Sequence, residues 1–243
     1  MSDDRPEPLG FPNCPQCPWL KAGTSSICGQ CARRTLPQLS ADACPVCSQA
    51  TFMGRCQNRL CGDPGRVIER IDAIASYADG LRSRILAFKE QNKHGWATIF
   101  GRILVGHLDA NYRSADVDLI VANPTHSSRV PRHTEQVIER ASAEDLLDTW
   151  PWDDQRSPAL LKGKATTGSG TSGATLAQKR AAAEEVEAAL VIPDPSRVAS
   201  KRIIVYDDIC TTGYQLNAVA KKLREVGAIS VSAIVLARTP WRG

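Results

Sequence analysis

Arg202-Ile-Ile-Val-Tyr-Asp-Asp-Ile-Cys-Thr-Thr-Gly213 is the stretch on which the fold turns. Residues 202–206 form a short β-branched and aromatic run, the pattern of a buried strand. Residues 216–226 follow as an amphipathic helical pattern stopped by Gly227, and residues 231–236 are apolar again. Strand, helix and strand in that order argue for a parallel sheet covered by helices. The turn between strand and helix gathers what a phosphate needs. Backbone N–H groups, the hydroxyls of Thr211 and Thr212, and the positive end of the next helix converge there. Gly213 permits close approach of backbone to ligand. Asp207 and Asp208 would repel a phosphate placed on them, and suit ribose hydroxyls or a magnesium ion instead. Helix capping alone accounts for the two acids but not for the whole run.

Working outward, Asp118-Leu-Ile-Val-Ala122 reads as another buried strand, ended by Asn123-Pro124. Residues 68–77 carry spaced apolar positions, and Leu81, Ile85, Leu86 and Phe88 recur at helical spacing. Helical patterns also fit residues 99–108, 135–147 and 176–190. Residues 150–173 combine prolines, charges and the low-complexity tract Ala165-Thr-Thr-Gly-Ser-Gly-Thr-Ser-Gly173, and are expected to form a mobile loop.

Eight of the nine cysteines fall between Cys14 and Cys61. The pairs are Cys14/Cys17, Cys28/Cys31, Cys44/Cys47 and the wider Cys56/Cys61. A two-residue gap turns two thiolates onto one ion, and two pairs complete a tetrahedral shell, so the pattern predicts two zinc ions with four cysteines each. No ligand position is left for a catalytic water. Iron–sulfur ligation uses the same residue type, but the tight ferredoxin spacing is absent. Neighbouring or interleaved pairs satisfy the count equally. Residues 1–64 have little apolar sequence and need such a metal in place of a core, which separates them from residues 65–243.

The 243 residues suffice for one ordinary core and a small appendage, and the net charge of +4 is too mild to name a partner. With no run of eighteen apolar residues and no apolar leader, neither a membrane span nor a signal peptide is expected. The cytoplasm is the expected location, where clustered cysteines bind metal rather than form disulfides. Arg82, Arg84, Lys89 and Lys93 lie near Trp96, which reads either as a nucleic-acid face with a stacking platform or as the wet side of a helix beside a core tryptophan. The four histidines have no metal spacing. Cys210 reads as a small side chain packed under the turn or, at a helix N-terminus, as a thiol of lowered pKa.

Residues 202–213 resemble the phosphoribosyl-diphosphate (PRPP) signature of type I phosphoribosyltransferases. The whole chain resembles the ComF family of bacterial competence-related proteins, which join a cysteine-rich zinc domain to a phosphoribosyltransferase-like domain. Tyr77-Ala-Asp-Gly-Leu-Arg82 with Lys89, the strand ending at Asn123-Pro124, and Arg132-His-Thr-Glu-Gln136 resemble further family segments. The chain departs from the family at Ala122-Asn123-Pro124, where a valine between two prolines is usual. It departs again at His133, Thr134 and Glu135, in place of glycine, phenylalanine and asparagine, and at Gln215, near a customary threonine.

The resemblance implies an α/β fold: an open, mainly parallel sheet with helices on both faces, preceded by a small zinc-binding domain. It implies PRPP with magnesium at Asp207, Asp208, Ile209, Cys210, Thr211, Thr212 and Gly213, with Asn123, Arg129 and Arg132 toward the diphosphate. The bland alternative for both arginines is a solvated surface. The implied activity is transfer of a phosphoribosyl group to an unidentified acceptor, in a competence or DNA-processing setting, beneath a hood drawn from residues 150–173. The alternative is a non-catalytic PRPP- or nucleotide-responsive zinc protein that binds single-stranded DNA or a DNA-uptake partner. The departures near the diphosphate segment bear on catalysis more than on binding.

Overall fold

The computed structural model describes residues 36–91, 93–166 and 175–240. Cys14, Cys17, Cys28 and Cys31, and most of the low-complexity tract, lie outside these residues.

The run that decides the fold forms strand β5, Arg202–Cys210, followed by helix α5, Tyr214–Glu225, and strand β6, Ser230–Arg238. Upstream come β1 (Ile71–Ser76), α1 (Asp79–Glu90), α2 (Trp96–Asn111), β2 (Leu119–Ala122), α3 (His133–Glu144) and α4 (Leu176–Ala189). The four long strands form one sheet in the order β1-β6-β5-β2, with every neighbouring pair parallel. Two short strands, β3 (Leu161–Lys162) and β4 (Leu190–Val191), pair antiparallel beside it. The open parallel sheet agrees with the expectation from the sequence.

Alternation along the strands divides the core in two. Ile120 and Ala122 of β2, Ile204 and Tyr206 of β5, and Ile234 and Leu236 of β6 join the side chains of α1, α2 and α3 on one face. Val121, Ile203, Val205, Val231, Ala233 and Val235 face α4 and α5 on the other. Helices therefore cover both faces, which is why the strands read as unbroken apolar runs.

Three local outcomes were not read from the sequence. Residues 71–76 form a strand, because β6 supplies a parallel partner along Ile71 to Ser76. β5 runs through the two acids to Cys210, since β6 continues to pair with it as far as Arg238. Residues 150–162 are packed: Trp150 is buried, and Trp152 bridges to Ile120 at the free edge of β2. The carboxylate of Asp145 fixes that segment by accepting from the backbone N–H of Trp150 at 2.8 Å and from Trp152 Nε1 at 3.0 Å. Chain lying along an otherwise bare strand edge satisfies its backbone groups, and this outweighs the loop-like composition.

Candidate functional site

The C-terminal ends of β2 and β5 lie side by side, with Ala122 in register with Tyr206. In an open parallel sheet this is where a crevice forms. Here it is a cleft of ≈ 900 Å³, and its lining includes Asn123, Arg129 and every residue from Asp207 to Gly213. Nine of the ten residues expected to hold the ligand are thus brought together; Arg132 is absent from the lining and stands instead at the N-cap of α3.

The acids at its base are tightly held. Lys89 Nζ lies 2.7 Å from Asp208 Oδ2. Asn123 Nδ2 donates to Asp207 Oδ2 at 2.9 Å, and the Asp208 backbone N–H donates to Asp207 Oδ1 at 2.9 Å. Burial, then repulsion by Asp208, pushes the Asp207 carboxyl up to about 7. Burial works against the charge of Lys89, yet the pull of Asp208 prevails and raises its pKa. The pair therefore comes with its own counter-ion, delivered by α1 from distant sequence.

Behind the acids, Gly213 caps α5 with φ +85°. The backbone angle calls for glycine, and a Cβ at this position would lie 2.5 Å from Ile71 Cδ1 and 2.9 Å from Leu60 Cδ2, so both side-chain ends would have to shift. The turn from Thr211 to Gly213 thus presents two hydroxyls at the start of a twelve-residue helix. Cys210 is buried beneath it, and burial pushes its thiol up to about 11, the behaviour of a packed side chain rather than a reactive one.

Opposite the turn, the segment after β2 is fastened to α3 by two residues of that helix. Thr134 Oγ1 donates to the Asn123 carbonyl at 2.7 Å, and Glu135 Oε1 accepts from the Thr125 backbone N–H at 2.7 Å. His133, also in the lining, packs edge-on against Phe88 with centroids 4.9 Å apart, and its Nε2 has no hydrogen-bond partner among the described residues. Burial, then the Lys89 charge, lowers its pKa to about 4, so the ring is neutral. Arg82, Lys162 and Lys179 complete the cationic wall with Arg129. Lys162 and Lys179 were not singled out from the sequence, since nothing local to either marks it. Trp96 is 2 % exposed and stacked on Phe100, so the nucleic-acid platform reading is replaced by that of a core tryptophan.

The second candidate centre is the set Cys44, Cys47, Cys56 and Cys61, whose sulfurs all lie within 4.8 Å of one another. The separations are 3.9 Å for Cys44–Cys61, 3.7 Å for Cys47–Cys56 and 3.6 Å for Cys56–Cys61. Four sulfurs about 2.3 Å from a central zinc form a tetrahedron with edges of about 3.8 Å, so the donor set and its spacing fit a structural zinc. The structure thus brings together the neighbouring pairs Cys44/Cys47 and Cys56/Cys61. The centre and the cleft touch: Arg238, 2 % exposed, donates from Nε to the Cys47 carbonyl at 2.9 Å and from Nη1 to the Cys210 carbonyl at 2.7 Å.

No family model and no curated protein matches the chain. Twelve solved chains match in structure. One of them, the structure of the allosteric regulatory enzyme of purine biosynthesis, is 17% identical with a TM-score of 0.37, over 59% of this chain and 26% of that one. This chain thus spans about a quarter of the length of that enzyme. Among the described residues, no helix is long and apolar enough to cross a membrane.

Proposed function

We infer that the protein is a phosphoribosyltransferase-like, PRPP-binding zinc protein of the ComF type. The observation that carries this reading is the cleft floor. Two adjacent carboxylates at the end of β5 continue into a hydroxyl-bearing glycine turn at the head of α5, inside a wall that includes Arg129, Lys162 and Lys179. A ligand that suits it has a vicinal diol for the carboxylates, a terminal phosphate for the turn and further negative charge for the cations. PRPP has all three.

In the enzymatic form of this reading, the bond between the ribose anomeric carbon and the diphosphate oxygen breaks as an acceptor nucleophile bonds to that carbon. Diphosphate leaves with the electron pair. Asp207 and Asp208 hold the ribose hydroxyls, Thr211, Thr212 and the turn hold the 5′-phosphate, and Arg129 meets the charge growing on the diphosphate. Magnesium bound with PRPP would add charge neutralisation at the diphosphate. Zinc at Cys44, Cys47, Cys56 and Cys61 has a structural role, because four thiolates leave no position for water. A second zinc, at Cys14, Cys17, Cys28 and Cys31, rests on the spacing of those cysteines, whereas the competence setting and a DNA-uptake or single-stranded DNA partner rest on the family resemblance.

The test is diphosphate release from PRPP, with magnesium, across a panel of nucleobases and small amines. Acceptor-dependent release is expected. PRPP binding without release for any acceptor would replace the transferase by the ligand-responsive binding protein.

A further inference from the structure

The back of the phosphate turn is built by the cysteine segment. Asn58 Nδ2 donates to the Thr212 carbonyl at 3.0 Å, while its Oδ1 accepts from the Leu60 backbone N–H at 3.2 Å, so the amide is fixed at both ends. Leu60, 1% exposed, fills the space under Gly213. Arg238 reaches from the end of β6 to both sides. It bonds the Cys47 carbonyl through Nε and the carbonyls of Cys210 and Thr211 through Nη1, with Nη2 3.9 Å from Cys47 Sγ. A buried guanidinium is tolerated only where its donors are met. Those acceptors come from both sides, Cys47 on the cysteine segment and Cys210 with Thr211 at the turn. A guanidinium beside Cys47 also offsets the negative charge that four thiolates bring to one zinc.

We propose that Arg238 and Asn58 are positioning residues that couple the four-cysteine site to the phosphate turn, so that metal at the cysteines and sugar phosphate at the turn each tighten the binding of the other. The proposal builds on the sugar-phosphate reading of the turn. Residues 44–61 hold little core of their own, so metal fixes their backbone, and with it the Cys47 carbonyl and the Asn58 amide. The Cys47 carbonyl in turn holds Arg238, which donates to the carbonyls of Cys210 and Thr211, and the Asn58 amide donates to that of Thr212. Linkage makes the effect reciprocal: the factor by which metal raises sugar-phosphate affinity equals the factor by which sugar phosphate raises metal affinity.

The experiment uses the full chain with zinc bound and after chelation. Amide hydrogen exchange is followed at residues 210–215 and, as a control, at β2, and ribose 5-phosphate is titrated into both forms. Chelation is expected to speed exchange in the turn by about tenfold or more while β2 keeps its protection, and to weaken ribose 5-phosphate by about tenfold. In Asn58→Ala the zinc stoichiometry is expected to stay unchanged while both effects of chelation shrink. A merely structural asparagine would leave those effects at their wild-type size. Unchanged exchange in the turn after chelation overturns the coupling, whether or not the ligand binds. Faster exchange in the turn with no ribose 5-phosphate binding in the zinc form supports the coupling and rejects the sugar-phosphate reading. Loss of protection in β2 along with the turn also overturns the proposal, because it marks general unfolding.

Discussion

Gly213 adopts φ +85° between the acids and α5, with Leu60 and Ile71 closing over the place where a Cβ would stand. Gly213→Ala therefore meets a backbone penalty and a clash together. It is expected to lower stability by about 1–3 kcal/mol and to weaken sugar-phosphate binding, read by thermal unfolding and titration. A fully stable alanine variant would contradict the packing described here. Asp207 leads to a pH prediction. Its carboxyl is raised to about 7 in the fold by burial first and Asp208 second, above the ordinary 3.8. A raised group grants stability that is full below its unfolded value and lost as pH climbs through the folded one. Wild type should thus lose stability relative to Asp207→Asn between about pH 4 and pH 8, a divergence that urea unfolding across that range would register. Parallel curves would show that the carboxyl titrates normally. Both residues were legible in the sequence because their types sit side by side along a strand and turn. Lys89 was marked in the sequence without its partner Asp208, and Arg238 was not marked at all: it meets Cys47 across 191 residues of chain, and no local pattern announces such a partner.

At the scale of elements, Gly101 lets α2 lie directly against the backbone of α3. A Cβ at Gly101 would lie 2.7 Å from the Ala141 backbone nitrogen, so Gly101→Ala must push the two helices apart. The expected cost is about 1–3 kcal/mol, seen as an earlier denaturant midpoint with an unchanged slope. The displacement would also reach His133 and Thr134, which α3 holds against the cleft. The cysteine element makes a separate prediction. Cys56→Ser removes one corner of a tetrahedron already formed by sulfur spacing, so elemental analysis should find one zinc fewer per chain than in wild type. An unchanged zinc content would exclude this set as a zinc site. The helices and buried strands were readable from their periodicity. β1 was not, since its small residues, Ala73 and Ala75, give a weak apolar signal, and only pairing with β6 makes a strand of them. The stretch around Trp152 misled for a related reason: its composition is that of a loop, while the bare edge of β2 holds it in place.

Over the whole molecule, the strand order β1-β6-β5-β2 brings the end of β2 beside the end of β5, and this adjacency turns scattered residues into one cleft. The adjacent acids, the glycine turn and the cations of four different segments then face the same ≈ 900 Å³. The sequence indicated the floor of the cleft, because it is one contiguous run. Its wall depended on topology, which brings α1, the segment after β2 and β3 around that floor. The central question for the molecule is whether the floor binds a sugar phosphate through its carboxylates. The direct measurement is titration calorimetry of PRPP with magnesium into wild type and into the double variant Asp207→Asn, Asp208→Asn. Each lost charge-assisted hydrogen bond is expected to cost about 1.5–3 kcal/mol, so the double variant should bind at least about tenfold more weakly than wild type. Equal affinity in the two proteins would contradict the account, and would leave Asp207 and Asp208 as caps of the turn that follows them.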